Sequence, residues 1–117
     1  MSLAVRIKPR AVREIEKAAA WWADNRPAAP GAIRKDIAAA LALLVDEPGI
    51  GSKIETARPI VVRRLYLPRI QYFLYYRIQD KALEVVAFWH QVGDKALGFK
   101  RTLNALPAST QASTPSS

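Results

Sequence analysis

Side chains that could act on a phosphate group are concentrated between residues 63 and 90 of this chain. Arg64 and Arg77 carry planar guanidinium groups that bind phosphate oxygens through paired hydrogen bonds and keep their charge at physiological pH. His90, the only histidine, can accept or donate a proton near neutral pH. A metal-independent ribonuclease needs cations to stabilise a phosphorane-like transition state and a base near the 2′-hydroxyl group. Arg64, Arg77 and His90 are therefore candidate catalytic residues for RNA cleavage.

The same stretch also has the composition of a binding surface, because tyrosine and phenylalanine stack on bases and arginine attracts anions. The candidate contact residues are Arg63, Arg64, Tyr66, Arg69, Tyr75 and Arg77, together with Trp21 from an earlier segment. A structural role is the alternative for each of them. Tyr72 and Tyr76 are expected in the core, and His90 would then be a hydrogen-bonded residue that closes a buried strand.

The composition argues against several other kinds of site. The chain has no cysteine and one histidine, and its acidic residues are scattered, so we expect no metal site and no cofactor. No phosphate-binding loop or dinucleotide fingerprint is present. The chain has neither an apolar run long enough to span a bilayer nor a signal-peptide pattern at its start. We therefore expect a cytoplasmic protein.

The charge of the chain points to anionic partners. The sequence has 18 lysine and arginine residues against 10 acidic ones, a net charge of +8. Most of this excess lies after residue 50. A positive field of this kind favours nucleic acid or an acidic protein segment, although a small domain also gains solubility from it.

The candidate residues must be positioned by a small set of elements. The stretch LAVRI (3–7) predicts a first strand, and apolar residues at steps of three and four predict a helix over 9–24. Its expected buried stripe is Val12, Ile15, Ala19 and Trp22. A second alanine-rich helix begins near Pro30 and ends at DEPG (46–49), and a loop is expected over 48–59.

Strands are predicted over 60–67, 69–78 and 83–90, with a tight turn over 79–82. In the middle strand, alternation places Ile70, Tyr72, Leu74, Tyr76 and Ile78 on one face and Gln71, Phe73, Tyr75, Arg77 and Gln79 on the other. The nearly continuous apolar run of the last strand indicates burial on both faces.

The predicted fold class is α+β. It comprises an N-terminal strand, an α-helical hairpin and a three-stranded antiparallel sheet, in the order β-α-α-β-β-β, with the first strand joining the sheet edge. A short helix over 94–106 would complete a domain of residues 1–106. A flexible Ser/Thr/Pro tail over 107–117 would follow it.

Three stretches in this order resemble the RelE/ParE superfamily of bacterial type II toxins, namely AVREIEKAAAWWADNRP, VRRLYLPRIQYFLYYRI and LEVVAFWH. The likeness covers about residues 3–92. It implies a toxin, of the kind found in plasmid stabilization systems, that a cognate antitoxin neutralises through its C-terminal segment. A homodimer and a toxin–antitoxin hetero-oligomer are both compatible with it.

The resemblance leaves the target open between two branches. The RelE-like branch cleaves mRNA on the ribosome with basic sheet residues, which Arg64 and Arg77 match, and with an arginine and a tyrosine after the last strand. Here Gln91 stands where the arginine is usual, and Phe99 lacks a hydroxyl group. The ParE-like branch inhibits DNA gyrase without that residue set. We therefore predict a ParE-like gyrase inhibitor rather than an enzyme. The alternatives are an mRNA endonuclease and a non-toxic module that only binds an antitoxin.

Overall fold

The computed structural model describes residues 3–93, which form two helices on one face of a five-stranded sheet. Strand β1 (Ala4–Ile7) leads into helix α1 (Pro9–Asn25), and helix α2 (Ala32–Asp46) packs against α1. The remaining strands are β2 (Ser52–Ile54), β3 (Val62–Leu67), β4 (Tyr72–Gln79) and β5 (Ala82–His90). Short 3₁₀ turns span Pro48–Ile50 and Gln91–Gly93. The predicted helix over 94–106 and the tail over 107–117 lie outside the described residues.

The sheet differs from the predicted one in size and in strand direction. Its order is β1-β5-β4-β3-β2; β1 runs parallel to β5, and the other neighbours are antiparallel. The α+β class is confirmed, and the first strand joins the sheet edge as expected. The prediction of a three-stranded antiparallel sheet is wrong, because β1 and β2 extend it to five strands and make it mixed. Strand β2 lies in the predicted loop, where three residues are too few to show an alternating pattern.

The helices and the sheet share one apolar core. Helix α1 buries Ala11, Ile15 and Ala18. Of the predicted stripe, Ile15 is buried, Ala19 and Trp22 pack partly buried against the core, and only Val12, 36% exposed, lies outside it. Small alanine side chains on the buried face allow the helix backbone to approach the sheet closely. The other buried residues of this core include Ile33, Ile37 and Leu44 of α2 and Leu74, Tyr76, Leu83, Val85 and Phe88 of the sheet.

Strand β4 begins later than predicted and leaves one predicted core residue outside. Residues 68–71 form a turn in which Gln71 takes a left-handed conformation with φ of 64°. Ile78 was expected in the core, but it is 44% exposed because it lies near the end of the strand, beyond the cover of the helices. The register between β4 and β5 also shifts between Tyr75 and Tyr76, which marks a β-bulge.

A second buried cluster lies on the face of the sheet that neither described helix covers. It contains Val62, Tyr75, Val86 and Ala87, with Phe73 and Trp89 packed against it. We refer to this as the helix-free face and to the other as the helix-covered face. Strand β5 therefore contributes to both clusters, which confirms the prediction of a strand buried on both sides.

Candidate functional site

The three candidate catalytic residues lie on different faces of the sheet. Arg64 is paired in register with Tyr75, and its guanidinium carbon lies 4.2 Å from the centre of the Phe73 ring, on the helix-free face. His90 is paired with Tyr72, and the two rings meet edge to face with centres 5.1 Å apart. The Tyr72 ring in turn stacks on Phe88 of the helix-covered core. His90 is thus on the opposite face of the sheet from Arg64.

The third candidate, Arg77, lies near the far end of β4. From Tyr72, the partner of His90, to Arg77 the strand rises by roughly 17 Å, at about 3.4 Å per residue. Arg77 is 7% exposed, and its Nε donates to Oε1 of Glu84 at 2.7 Å. The other oxygen of Glu84 lies 3.7 Å from Nζ of Lys8. Because the charge of Arg77 is already compensated by the partly buried carboxylate of Glu84, Arg77 holds two strands together.

Arg63 and Tyr76 fasten the loop that precedes β2. Arg63 Nη1 donates to the carbonyl oxygens of Gly49 and Gly51, at 3.1 and 2.7 Å. The Tyr76 hydroxyl donates to the carbonyl of Pro48 at 2.7 Å and accepts from the amide of Gly51 at 2.9 Å. Burial raises the pKa of Tyr76 above its usual value, while the Gly51 hydrogen bond and the Arg63 charge oppose that rise. A side chain at residue 51 would collide with the Tyr76 hydroxyl, so only glycine fits there.

Four aromatic rings cross the helix-free face from β3 to β5. Their centres are 5.0 Å apart for Tyr66 and Phe73, 6.1 Å for Phe73 and Tyr75, and 5.2 Å for Tyr75 and Trp89. We call Tyr66, Phe73, Tyr75 and Trp89 the aromatic row. Tyr66 is 37% exposed, whereas Tyr75 is fully buried. A molecule that binds this face could therefore contact Tyr66 and the Arg64 side chain stacked on Phe73, but it could not reach Tyr75.

Glu14 of α1 joins the end of the aromatic row to the helix. Its carboxylate accepts hydrogen bonds from the amide of Phe88 at 2.9 Å and from Nε1 of Trp89 at 2.7 Å. Arg10 Nε lies 3.2 Å from the same carboxylate, and its guanidinium carbon lies 5.9 Å from the centre of the Trp89 ring. Strand β1 pairs with β5 only as far as Val85, so Glu14 satisfies an edge amide that lies beyond β1. Sequence reasoning missed Glu14, whose only signal was its spacing of four from Arg10.

The remaining predicted contact residues lie at separate places on the surface. The Tyr66 hydroxyl donates to Oε1 of Gln91 at 2.5 Å. Arg69 forms a bidentate ion pair with Asp36 of α2. The sequence did not indicate this pairing. Trp21 is 49% exposed near the end of α1. His90 Nδ1 accepts from the amide of Val92 at 3.1 Å, so a neutral imidazole carries its proton on Nε2.

The described part of the chain offers no group of three acidic or histidine side chains placed to hold a metal ion. Neither α1 nor α2 is long and apolar enough to cross a bilayer. What residues 3–93 present instead is a basic and aromatic sheet face whose cations are largely bound to the protein's own groups.

Comparison with known proteins places this geometry in a family. Residues 5–94 match the family model of the ParE toxin of the type II toxin–antitoxin system parDE. Comparison with curated protein sequences finds no match. The fold is similar to a chain of the chromosomal ParDE system from P. aeruginosa, with a TM-score of 0.62 and 16% identity over 76% of this chain and 96% of that one.

Similar structures also include RelE toxins. The free E. coli toxin RelE, in a mutant form, matches with a TM-score of 0.61 and 16% identity over 91% of this chain and 100% of that one. A chain of the intact E. coli RelBE toxin–antitoxin complex matches with a TM-score of 0.56 and 18% identity over 76% and 96%. These identities establish the fold alone. Because the family model covers most of the sequence, the chain belongs to the ParE toxin family of type II toxin–antitoxin systems.

Proposed function

We propose that this toxin stops growth by binding DNA gyrase in the bacterial cytoplasm, and that it is not a nuclease. The observation that carries the proposal is the separation of Arg64, Arg77 and His90. Arg77 is buried against Glu84, and His90 lies on the opposite face from Arg64. A ribonuclease must bring its cations and its base to the same phosphate group. Within residues 3–93 these candidates do not assemble around one, and this separation supports binding rather than cleavage as the mode of action.

A RelE-like endonuclease is the second candidate, because the fold is about equally similar to ParDE and RelE chains. The TM-scores to the ParDE chain and to the free RelE chain are 0.62 and 0.61, so the fold does not separate the branches. On the helix-free face Arg64 and Tyr66 could still contact RNA. In place of the arginine usual after the last strand, however, Gln91 accepts a hydrogen bond from Tyr66 and has no charge for a phosphate.

The proposed controlling partner is a cognate antitoxin. Two of the similar structures are a ParDE system and a RelBE toxin–antitoxin complex. The net charge of +8 on this chain suits an acidic partner segment. Both a homodimer and a hetero-oligomer with the antitoxin agree with this proposal. A degenerate, non-toxic module that only binds the antitoxin is the third candidate, and it predicts normal growth on expression.

Induced expression of this chain without its antitoxin tests the proposal. Growth, mRNA integrity and the DNA-damage response are followed together in the same culture. We expect growth arrest with intact mRNA and induced DNA repair. Codon-phased mRNA cuts would overturn the proposal in favour of the endonuclease, and normal growth with folded protein present would favour the non-toxic module.

Two arginine variants separate these mechanisms further. Arg64→Ala removes a half-buried cation on the helix-free face that a nuclease would need, so an endonuclease would lose toxicity. Under gyrase binding, we expect Arg64→Ala to remain toxic unless Arg64 lies in the contact. Arg13→Ala, on the exposed side of α1, serves as the matched control for charge loss.

A further inference from the structure

Two open clefts adjoin each other where the loop between β2 and β3 (residues 55–61) meets the end of β4. One has a volume of about 620 Å³ and is lined by the end of β2 and by this loop. The other has a volume of about 340 Å³ and is lined by Ile60, Val61, Arg77, Ile78 and Gln79. Ile60 and Val61 line both clefts, and we call the two adjoining clefts together the loop groove.

The loop groove exposes apolar side chains, and burying them against a partner would be energetically favourable. Val61 is 58% exposed and Ile78 is 44% exposed, and both are β-branched residues at the rim. Ile54 and Ile60 continue this apolar lining within the larger cleft. Concave sites lined by apolar side chains with a few charged groups are typical binding sites.

The backbone of β4 extends past the end of its ladder with β3 at the groove. Pairing between β3 and β4 starts at Arg63 and Tyr76, whereas β4 continues to Gln79. In the sheet, Ile78 pairs only with Leu83 of β5, so β3 does not pair with β4 at Ile78; the carbonyl of Gln79 accepts a hydrogen bond from Arg6. An extended peptide can hydrogen-bond to an edge of this kind, while its alternate side chains enter the adjoining pockets.

The charges that line the groove determine which polar residues of such a peptide are favoured. Lys53 and Arg58 line the larger cleft, and Glu55 is its one acidic lining residue. In the smaller cleft, the charge of Arg77 is balanced by Glu84. The balance is positive, and the rest of the chain adds to it with a net charge of +8. Aspartate or glutamate side chains are therefore favoured in the peptide.

We propose that the loop groove binds an extended segment of the antitoxin in which branched apolar residues alternate with aspartate or glutamate. The apolar side chains contact Val61 and Ile78, and a carboxylate lies near Lys53. This inference rests on the proposed function, since it assigns a place on the toxin to the antitoxin that the proposed function invokes.

The test uses the full-length toxin and its full-length cognate antitoxin, with dissociation constants measured by isothermal titration calorimetry. The double variant Val61→Asp with Ile78→Asp places two charges in the apolar groove. We expect it to weaken binding about 100-fold, as expected when apolar anchors at a contact are lost. Val5→Asp is the matched control, because Val5 is 42% exposed on β1 at the opposite edge of the sheet. It should change affinity by less than about threefold.

Lys53→Glu tests separately how much the positive charge of the groove contributes to binding. It should weaken binding roughly tenfold at low salt, and most of that difference should disappear near 0.5 M salt because exposed charges are screened there. Hydrogen exchange of the complex should also show slower exchange of amides at residues 60–61 and 78–79.

The outcomes separate this inference from the proposed function. If wild-type toxin binds the antitoxin and the groove variant binds equally well, the groove is not the site, although the toxin–antitoxin pairing stands. If Val5→Asp weakens binding as much as the groove variant, the assignment to the groove also fails. If wild-type toxin, with an unfolding transition confirming its fold, does not bind the antitoxin at all, the pairing invoked by the proposed function fails as well.

Discussion

On the helix-covered face of the sheet, the buried side chains are apolar or, like Tyr76, satisfy a polar atom on a neighbouring loop. On the helix-free face, a buried tyrosine lies beside a buried arginine, and a second arginine stacks on an aromatic ring. Both faces come from the same strands with the same alternation. They differ in where charge is placed, since the helix-free face carries the Arg77–Glu84 pair within the sheet.

The difference shows that a basic sheet face need not be a phosphate site. Arg77 on the helix-free face and Arg63, which alternates with Arg64 along β3, are basic strand residues of a type that can bind phosphate, yet both bind groups of the protein itself. Arg69 is the exposed member of the set and contacts Asp36, whereas Arg64 is half-buried beside the Phe73 ring. The following predictions test how far each face depends on these internal partners.

The largest effect is expected from removing the partner of the buried arginine. Glu84→Ala leaves the charge of Arg77 buried and unpaired, and it should lower the free energy of unfolding by about 3 kcal/mol, as measured for broken buried pairs. Urea denaturation measures the change. Glu16→Ala, on an exposed position of α1, is the control and should change stability by less than about 0.5 kcal/mol. Equal effects of the two substitutions would show that the Arg77–Glu84 pair does not stabilise the sheet.

A smaller loss is expected from the hydroxyl group on the helix-covered face. Tyr76→Phe leaves the Pro48 carbonyl and the Gly51 amide without this partner, so the free energy of unfolding should fall by about 1–3 kcal/mol. Tyr66→Phe removes an exposed hydroxyl bonded to Gln91 and should cost about 0.5 kcal/mol. The same denaturation experiment compares them. A larger loss for Tyr66→Phe would reverse the proposed ranking of these two hydroxyl groups.

The buried tyrosines also predict how stability changes in alkali. Burial raises the pKa of both Tyr72 and Tyr76 above the ordinary value of 10.0. Below pH 10 both states of the protein are protonated at these groups, so the contribution is fully present. Above pH 10 the unfolded chain releases these protons first, and stability is lost as the pH rises towards the raised pKa values. Urea midpoints at pH 8 and above pH 10 should show this loss, and the Tyr76→Phe variant should show less of it. An identical loss in the variant would exclude Tyr76 as its source.

A small effect of the opposite sign is expected at the β4–β5 turn, which both faces share. Asp80 and Lys81 have φ values of 55° and 60°, a left-handed conformation that favours asparagine and glycine in two-residue turns. Asp80→Asn with Lys81→Gly should raise the free energy of unfolding by about 1 kcal/mol. Lys53→Gly, in the edge strand β2, is the control and should not raise it. A destabilised turn variant would mean that the native side chains have a compensating role.

The sequence was sufficient to predict the helices, four of the five strands and the α+β class, because each of these elements has a recognisable period. The sequence did not predict those features of the sheet that depend on strand pairing rather than on a periodic pattern. Strand β2 is formed by three residues held against β3, and the parallel pairing of β1 with β5 depends on how the helices return the chain. Ile78 follows the alternation but lies near the end of its strand, where no described helix covers it.

The sequence predicted which residues could form the site, but it did not predict which residues they contact. A two-residue turn at Asp80 and Lys81 places Arg77 opposite Glu84, so the predicted turn already contained the evidence for that pair. The contacts of Glu14 with β5 and of Asp36 with Arg69 join residues far apart in the chain, and no local pattern reveals them. For the same reason, alternation alone could not show that Arg64 and His90 face opposite ways.

The central claim is that this ParE-family toxin acts by binding gyrase rather than by cutting RNA. The most direct test adds the purified full-length chain to gyrase with relaxed plasmid DNA and, in parallel, to ribosomes translating a defined mRNA. The account predicts that supercoiling is inhibited, that the antitoxin restores it, and that the mRNA stays intact. Unchanged supercoiling together with cleavage of the ribosome-bound mRNA would contradict it.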